Sequence, residues 1–357
     1  MLHAVIMAGG FGTRFWPASR RARPKQLLAL ATDTPLLRST FERLAPLVPA
    51  ERIWVVTAAA TADATRRMLP ELPDGNILAE PASRNTAACA GLAAHAVLRG
   101  DPEAVCAVLP ADHIIGEEAR FRSALAAGAD FVARDGGLLT FGIQPTRPET
   151  GYGYLELGPE HTREGEWRVF ELQAFVEKPD ADRAGAFLSS GKHLWNSGIF
   201  AWRARELLDE MRRQIPDLAA GLDRLGEALD SPRAGAVLAE VYPSLPATSV
   251  DFGIMEGARH RFTIPVDIPW SDVGSWSAVA ERLPTDAAGN ATQGRVLAEN
   301  AGGNVLVSSG PVLAIRGVEG LVVVATPDAV LVMPKEDAQR VKEVVEALQD
   351  RGWDDVL

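Results

Sequence analysis

The sequence predicts an α/β fold with a mostly parallel sheet and helices on both faces, followed by a small β-rich domain. Short apolar segments alternate with helical patterns from residue 1 to about 142, as in parallel sheets with crossover helices. Several apolar segments end directly at glycines or acids. Composition shifts near Pro284–Gly289, beyond which the chain is rich in Val and Gly. We therefore predict two domains, residues 1–284 and 285–357.

The elements of the first domain follow from hydrophobic periodicity. The predicted strands are His3–Ala8, Arg52–Thr57, Asn76–Glu80, Ala104–Leu109 and Gly137–Gly142, and the predicted helices are Leu36–Leu44, Thr61–Met68, Thr86–Arg99 and Glu117–Ala133. Ligands of such folds bind beyond the carboxyl ends of the strands. Residues that follow each strand are therefore the candidates for a functional site.

Composition narrows the class of protein. The chain has 357 residues, 47% of them hydrophobic and 23% charged, and a net charge of -11. These values are typical of a soluble globular protein and disfavour nucleic acid or membrane as a partner. No apolar run approaches the ~20 residues that cross a bilayer, and the N-terminus lacks a signal-peptide pattern. We expect a cytoplasmic protein in which Cys89 and Cys106 are free thiols of the core.

The stretch Val5–Leu28, VIMAGGFGTRFWPASRRARPKQLL, concentrates the chemistry. A strand runs into a glycine loop, which lets backbone N–H groups approach an anion. Five cationic residues follow on this acidic chain, namely Arg14, Arg20, Arg21, Arg23 and Lys25. They indicate that the ligand is a small polyphosphate. The spacing excludes a Walker A loop and the dinucleotide fingerprint. The alternative is a glycine turn that joins a strand to a surface segment.

The segment GGFGTRFWPASRRARPKQ resembles the signature loop of the sugar-phosphate nucleotidyltransferases, in the form carried by mannose-1-phosphate guanylyltransferases. The resemblance covers essentially the full length. It implies a Rossmann-like domain of the nucleotide-diphospho-sugar transferase type, with a left-handed β-helix after it. It also implies that the loop binds nucleotide through Ala8, Gly9, Gly10, Gly12 and Thr13.

A second cluster, Glu80 to Thr86, follows the third predicted strand. A carboxylate at Glu80 could accept hydrogen bonds from the N1–H and 2-amino groups of guanine, whereas adenine has an acceptor at N1. The resemblance places base contacts in this loop and implies Glu80 and Asn85 as nucleotide-binding residues. The alternative for Asn85 is a helix N-cap.

Two acids are candidate metal ligands. Asp112 follows a buried strand, and Asp272 lies in a turn before a helix that Ser275 caps. Two carboxylates and substrate phosphates are typical ligands of Mg²⁺. With the resemblance included, we predict that Asp112 and Asp272 bind one Mg²⁺. The alternative is a helix-capping or loop role for Asp112 and a capping role for Asp272, and His113 is interpreted as structural.

The sugar site is implied by resemblance at four residues on three later segments. Gly153 lies in ETGYGYLEL, Glu177 and Lys178 precede Pro179, and Asn196 lies in an aromatic strand. The resemblance gives Gly153, Glu177 and Asn196 contact with the sugar and Lys178 contact with its phosphate. The alternatives are an aromatic hairpin, a surface ion pair and a core strand. The segment Ser249–Glu256 is also typical of the group.

The residues after 284 show no candidate catalytic or binding motif. The predicted strands are Val296–Ala298, Asn304–Val307, Val312–Ile315, Leu321–Val324 and Val330–Met333, and a helix runs from Lys335 to about Gln349. Short strands with such turns predict a β-roll or β-helix, and we assign it to packing or subunit contact.

The predicted enzyme converts GTP and mannose 1-phosphate into GDP-mannose and diphosphate. Arg14 and Lys25 would neutralise the triphosphate while Lys178 holds the attacking phosphate. A homodimer is implied by resemblance. The alternatives are a nucleotidyltransferase for another sugar 1-phosphate or nucleotide, and a non-catalytic regulatory paralogue that senses GDP-mannose.

Overall fold

The computed structural model describes residues 1–10 and 12–357. The chain forms two compact units. The first unit comprises Met1–Gly9, Phe41–Ala111 and Ile115–Trp270, and the second comprises Gly10–Thr40, Asp112–Ile114 and Ser271–Leu357. The second unit therefore contains the signature loop and Asp112 as well as the C-terminal strands. The proposed division at residue 284 stays a prediction.

Helices and strands alternate through the first half of the chain and give way to short strands after residue 290. In chain order they are β1 (Leu2–Ala8), α1 (Leu36–Leu44), β2 (Ile53–Ala58), α2 (Ala62–Met68), β3 (Ile77–Glu80), α3 (Asn85–Leu98), β4 (Val105–Pro110), β5 (Ile114–Ile115), α4 (Glu118–Asp135), β6 (Leu138–Ile143), β7 (Tyr154–Glu164), β8 (Trp167–Val176), α5 (Ala181–Ser190), β9 (His193–Arg203), α6 (Ala204–Gln214), α7 (Pro216–Ala228), α8 (Ala234–Val241), α9 (Val250–Gly253), β10 (Arg261–Val266), β11 (Trp270–Ser271), α10 (Trp276–Ala280), β12 (Ala291–Gln293), β13 (Val296–Glu299), β14 (Val305–Ser308), β15 (Leu313–Arg316), β16 (Leu321–Ala325), β17 (Val330–Pro334) and α11 (Val341–Asp350).

The first unit is built on a nine-stranded sheet of order β3-β2-β1-β4-β9-β6-β10-β8-β7. The pairs β1–β2, β1–β4, β2–β3 and β6–β10 are parallel, and every pair that includes β8 or β9 is antiparallel. All strands of the sheet except β8 and β9 thus run in one direction, which confirms the predicted fold class. Because β1, β2 and β3 are parallel, Gly9 and Glu80 lie at the same end of their strands.

The core of the first unit forms between the sheet and a layer of helices. Helix α3 is rich in alanine and packs against α6, α7 and the strands β1 and β2. Small side chains let these backbones approach closely, so Gly91 has Leu222 and Met211 where a Cβ would lie. Cys89 and Cys106 are buried free thiols in this core, as predicted.

The second unit contains parallel coils of short strands. Strands β12, β14 and β16 stack in parallel, β13 pairs with β15 in parallel, and β17 closes the sheet antiparallel to β16. Buried asparagines join successive coils: Asn304 Nδ2 donates to Asn290 Oδ1 at 2.8 Å, and Leu321 N donates to Asn304 Oδ1 at 2.8 Å. This ladder satisfies backbone groups at the turns and fixes the register of the coils.

The signature loop supplies part of the second unit's core. Phe15 packs edge-on against Trp276 with ring centroids 5.3 Å apart, and both side chains are buried. Trp16 Nε1 donates to Val356 O at 2.7 Å, so the C-terminal residues contact this loop directly. The loop is therefore anchored by aromatic packing next to its glycines and cations.

The predicted elements are confirmed with shifts of a few residues at most. The long C-terminal helix begins as a 3-10 turn over Lys335–Arg340 and becomes α-helical at Val341. Among the described residues, no helix has both the length and the apolar character needed to span a bilayer.

Candidate active site

Lys25 is the centre of the predicted phosphate and metal site in the second unit. Its side chain is only 6% exposed. The ammonium donates to Asp112 Oδ2 at 2.7 Å and to the backbone oxygen of Asp272 at 2.6 Å. Lys25 therefore joins the carboxylate of Asp112 to the backbone of Asp272. The helix-capping alternative is wrong for both acids, because Ser275 caps α10 and Glu117 is the residue that precedes α4.

The charge state of Asp112 is set by competing effects. Burial alone would raise the pKa of the carboxyl, but Lys25 and then His113 outweigh it and hold the pKa below its ordinary value. Asp112 is thus a carboxylate at neutral pH. Because the Asp112 carboxylate is ionised, it can bind a metal ion in place of the Lys25 ammonium.

Gly12 explains why the loop needs glycine. Its φ is +60°, in the left-handed region, and a Cβ there would overlap the Cβ of Lys25. The carbonyl oxygen of Gly12 accepts from Ser19 Oγ at 2.7 Å, and that of Gly10 accepts from Gln26 Nε2 at 3.1 Å. The glycines therefore let the loop pack directly on the segment that carries Lys25.

The backbone around Asp272 is strained. The next residue, Val273, is buried and has φ +47°, a conformation that β-branched residues rarely adopt. A Cβ at Gly274 would lie 2.9 Å from Asp272 Oδ2, and the Gly274 carbonyl accepts from Arg14 Nη1 at 3.2 Å. Packing of the buried Val273 in the core holds this turn, which brings the carboxylate of Asp272 toward Gly274.

These residues line one open cavity of about 280 Å³ in the second unit. Its walls are Gly12, Thr13, Arg14, Phe15, Lys25, Asp112, His113, Asp272, Val273 and Gly274. Two cations, two carboxylates and a glycine backbone converge there. Within residues 1–10 and 12–357, no group of three or more His, Cys, Asp or Glu could hold a metal ion. A metal ion in this cavity would therefore take further oxygen ligands from outside the protein, such as water or substrate phosphate.

The positive patch is smaller than the sequence predicts. Arg20 pairs with Asp328 at 3.0 Å and Arg21 pairs with Asp354 at 3.2 Å. These ion pairs join the loop to the C-terminal part of the second unit. Arg14 and Lys25 are the members of the patch that line the cavity described above.

Glu80 is the key side chain at the end of β3 in the first unit. It is 6% exposed and accepts a hydrogen bond from the hydroxyl of Tyr242, which is fully buried. A Cβ at Gly9 would lie 2.6 Å from Glu80 Oε2. Burial raises the pKa of Glu80, and the hydrogen bond from Tyr242 opposes that shift. Ala8, buried at the end of β1, can reach a ligand only through its backbone.

Asn85 is the first residue of α3 and follows the loop after β3. Its φ is +62°, its side chain is exposed, and its Oδ1 accepts from the next residue's N–H, Thr86 N, at 2.8 Å. This bond gives a backbone N–H in the first turn of α3 a side-chain acceptor. The capping alternative for Asn85 therefore stays open beside the predicted contact with nucleotide.

Gly153, Glu177 and Asn196 lie together in the first unit. A Cβ at Gly153 would lie 2.7 Å from Glu177 Oε2 and 3.3 Å from Asn196 Cβ. Lys178 has φ +44°, which turns its side chain back so that Nζ lies 2.9 Å from Glu177 Oε1. The ion pair of the alternative interpretation exists, but Lys178 is 62% exposed and its ammonium is accessible.

The amide of Asn196 is fixed by its neighbours. Its Oδ1 accepts from Thr140 Oγ1 at 3.2 Å and from Gly198 N at 3.2 Å, while Nδ2 donates to Asp251 Oδ1 at 2.7 Å. The adjacent Trp195 is buried edge-on against Tyr152, with ring centroids 5.2 Å apart. The aromatic residues of β9 therefore pack in the core, and Asn196 is a polar residue of the same strand.

Sequence reasoning missed three residues of these clusters. Tyr242 lies at the end of α8, in a region where the sequence shows no chemical signal, and Thr140 lies within a buried strand. Asp251 lies in a segment that the sequence marks only as typical of the group. For Asp251, the sequence offers one signal, an acid next to apolar residues. For Tyr242 and Thr140 it offers none, because their hydrogen-bond partners lie far away in the chain.

Two family descriptions match this chain. Residues 3–288 match the nucleotidyl transferase family, and residues 294–348 match the mannose-phosphate isomerase/GMP-like β-helix domain. The two matches together extend over nearly the whole chain.

Curated relatives and a solved structure agree with these families. The mannose-1-phosphate guanylyltransferases of Escherichia coli and Klebsiella pneumoniae are each 38% identical over 353 residues, which is 98% of this chain and 74% of theirs. A crystal structure described as mannose-1-phosphate geranyltransferase from Thermus thermophilus superposes with a TM-score of 0.87 at 39% identity, covering 98% of this chain and 99% of that one.

Proposed function

Because this chain belongs to the nucleotidyl transferase family, we propose that it transfers the guanylyl group of GTP to mannose 1-phosphate. A phosphate oxygen of the sugar attacks the α-phosphorus of GTP, the bond to the β-phosphate breaks, and diphosphate leaves with GDP-mannose as the product. The observation that carries the proposal is the cavity in which Lys25 and Arg14 converge with two acids. The curated relatives of that name support the choice of substrates.

The chain's own task in this reaction is electrostatic. Lys25 and Arg14 supply positive charge for the triphosphate and for the diphosphate that leaves, and the glycine loop offers backbone N–H groups. The sugar phosphate needs no general base because a phosphate monoester is already ionised near neutral pH. Lys178, accessible at the end of β8, is suited to hold that phosphate for in-line attack.

The residues of the cavity fit a divalent metal ion. Asp112 is held ionised by Lys25, Asp272 lies in the same cavity, and hard oxygen ligands of this kind suit Mg²⁺. When bound, Mg²⁺ would offset negative charge on the phosphate groups. Lys25 is placed to orient the carboxylate of Asp112 and to hold the backbone of Asp272, whether or not the metal is present.

Substrate selection rests on the first unit. Glu80, anchored by Tyr242, is an acceptor suited to the N1–H and amino groups of guanine, with Asn85 beside it. Glu177 and Asn196 pack against Gly153, and their polar groups are suited to bind sugar hydroxyls. Cytoplasmic location and a homodimer stay predictions.

The proposal is tested by diphosphate release from purified protein with Mg²⁺. GTP, ATP, UTP and dTTP are each combined with mannose 1-phosphate and glucose 1-phosphate. We expect release to be greatest with GTP and mannose 1-phosphate and to stop when a chelator is added. Release with another pair would contradict the substrate assignment. Binding of GDP-mannose without release from any pair would favour the regulatory paralogue.

The role of Lys178 is tested separately. Lys178→Ala should raise the KM for mannose 1-phosphate about tenfold or more, because a charged hydrogen bond is lost, and should leave the KM for GTP nearly unchanged. Lys192→Ala, which removes an exposed lysine of the same unit, is the control. An effect of Lys178→Ala on GTP alone would reverse the assignment.

A further inference from the structure

The segment Ser249–Glu256 is not part of the proposed reaction, but it contacts both the region next to Glu80 and the strand that carries Asn196. Val250 N donates to Thr86 Oγ1 at 2.9 Å, at the start of α3 beside the Glu80 loop. One residue later, Asp251 Oδ1 accepts from Asn196 Nδ2 at 2.7 Å. The segment therefore joins the loop after β3 to the strand that carries Asn196.

The contacts of Asn196 leave a defined pair of polar groups available. Thr140 and Gly198 donate to its Oδ1, and one hydrogen of its Nδ2 goes to Asp251. What is left is the second N–H of Asn196 and further acceptor capacity on the carboxylate of Asp251. That carboxylate also accepts from its own backbone N–H but from no other side chain among residues 1–10 and 12–357. A donor and an acceptor stand side by side, which matches two neighbouring hydroxyl groups of a sugar.

The surroundings of Asp251 are those of the sugar site. Glu177 and Lys178 both act electrostatically on its carboxylate. Glu177 and Asn196 both lie against Gly153, since a Cβ there would come within 2.7 Å of Glu177 Oε2 and 3.3 Å of Asn196 Cβ. Asp251 thus faces the same group of residues that the proposed function assigns to the sugar 1-phosphate.

We propose, on the basis of the proposed function, that Asp251 is a specificity-determining residue of the sugar site. Its carboxylate accepts a hydrogen bond from one ring hydroxyl of the sugar 1-phosphate, while Asn196 donates to the oxygen of the neighbouring hydroxyl. The ligand class is therefore a hexose 1-phosphate with two adjacent free hydroxyls at this place.

A purely structural role does not account for an acid at this position. A neutral amide could accept the same hydrogen bond from Asn196. Burying a carboxylate next to Glu177 disfavours its charged form, and burial followed by Glu177 raises the pKa of Asp251 to about 6. A hydroxyl donor from a ligand explains why the unfavourable group is present.

The test compares Asp251→Asn with wild type in steady-state assays. The variant keeps an acceptor for Asn196 but replaces the second oxygen with an N–H₂ group. We expect the KM for mannose 1-phosphate to rise about tenfold or more and the KM for GTP to stay within about twofold. Glu256→Gln is the matched control, because it removes a second acid that interacts with Glu177 but makes no bond to Asn196.

Deoxy sugars identify the hydroxyl. One deoxymannose 1-phosphate lacks the hydroxyl that Asp251 binds. Wild type should bind this analogue more weakly than mannose 1-phosphate, by about the factor that Asp251→Asn loses with mannose 1-phosphate. The variant should bind the analogue and mannose 1-phosphate equally well. The other deoxymannose 1-phosphates should weaken both proteins equally. Equal losses for every analogue in both proteins would overturn the proposal.

Calorimetric titration separates this inference from the proposed function. Wild-type turnover with GTP and mannose 1-phosphate tests the function, and the ratio of mannose 1-phosphate affinities of wild type and Asp251→Asn tests the inference. A protein without turnover whose affinity falls in the variant would refute the function and support the inference. Equal affinities would overturn the inference whatever the turnover, and unchanged GTP affinity would show that the variant is folded.

Discussion

In the first unit, candidate site residues lie at the ends of sheet strands and are oriented by hydrogen bonds between side chains, whereas in the second unit they lie on loops held by an aromatic core. Tyr242 orients Glu80, and Asp251 with Thr140 orients Asn196. In the second unit, strained or left-handed backbone at Gly12 and Val273 shapes the turns around the cavity. The two units therefore depend on different physical interactions.

This difference matches the tasks that we propose for each unit. Discrimination between bases or between sugars depends on which atoms donate and accept, so it needs oriented side chains. Stabilising phosphate charge depends on fixed positive groups close to the anion, so it needs a rigid loop. Substitutions in the second unit should therefore affect turnover and folding, and those in the first should affect selectivity.

The largest expected effect comes from Asp272→Asn in the second unit. The substitution removes one carboxylate from the cavity and leaves the backbone oxygen that Lys25 contacts. We expect kcat for diphosphate release to fall about a thousandfold, with the melting temperature little changed. The assay is run at saturating substrates and several Mg²⁺ concentrations.

Asp267→Asn, outside this cavity, is the control for Asp272→Asn. Near-wild-type turnover of Asp272→Asn would refute the metal assignment and weaken the contrast between the units.

Gly12→Ala tests the contribution of the backbone in the second unit. The new Cβ would overlap Lys25, and the residue would keep a left-handed φ, so we expect unfolding free energy to fall by about 1–3 kcal/mol. Chemical denaturation with urea measures the change. Gly10→Ala is the matched stability control, because its Cβ would meet nothing within 4 Å. Equal losses in the two variants would contradict the explanation by steric overlap.

Tyr242→Phe tests orientation by hydrogen bonding in the first unit. Glu80 would lose its buried donor, and we expect the ratio of kcat/KM for GTP over ATP to fall about tenfold. Tyr154→Phe, which removes another buried hydroxyl of the same unit, should leave that ratio unchanged. A fall in kcat with equal loss for both nucleotides would indicate a structural role for Tyr242.

The smallest expected effect concerns the stability of the first unit with pH. The folded-state pKa of Asp251, about 6, lies above the ordinary aspartate value of 3.8, so the folded protein binds this proton more tightly. Wild-type stability should therefore decline as pH rises from about 4 to about 6. Asp251→Asn should remove that decline. Relative to wild type, its free energy of unfolding should therefore be about 1–2 kcal/mol more favourable at pH 7 than at pH 4.

Denaturation at both pH values measures the effect of Asp251→Asn. A pH dependence that is the same in wild type and variant would show that Asp251 does not titrate as described. Glu177 and Lys178 face this carboxylate and stay unchanged in the comparison.

Local patterns were enough for the elements and for most candidate residues. Apolar segments that end at Gly9, Glu80 and Asp112 predicted strand ends correctly, because side-chain burial repeats with the period of the element. The contacts of Tyr242, Thr140 and Asp251 were not predictable, since each joins residues more than fifty positions apart. No local pattern encodes which distant side chain will meet a given acid.

The sequence by itself determined the α/β class, the glycine loop, the chemical types at the site and the C-terminal coils, because these depend on composition and on spacing between near neighbours. Only the tertiary structure decided that Lys25 joins Asp112 to Asp272, and that Arg20 and Arg21 pair with acids of their own unit. It also decided the orientation of the Asn196 amide. Such contacts arise when packing of the core brings distant segments together, and their geometry follows from the whole chain.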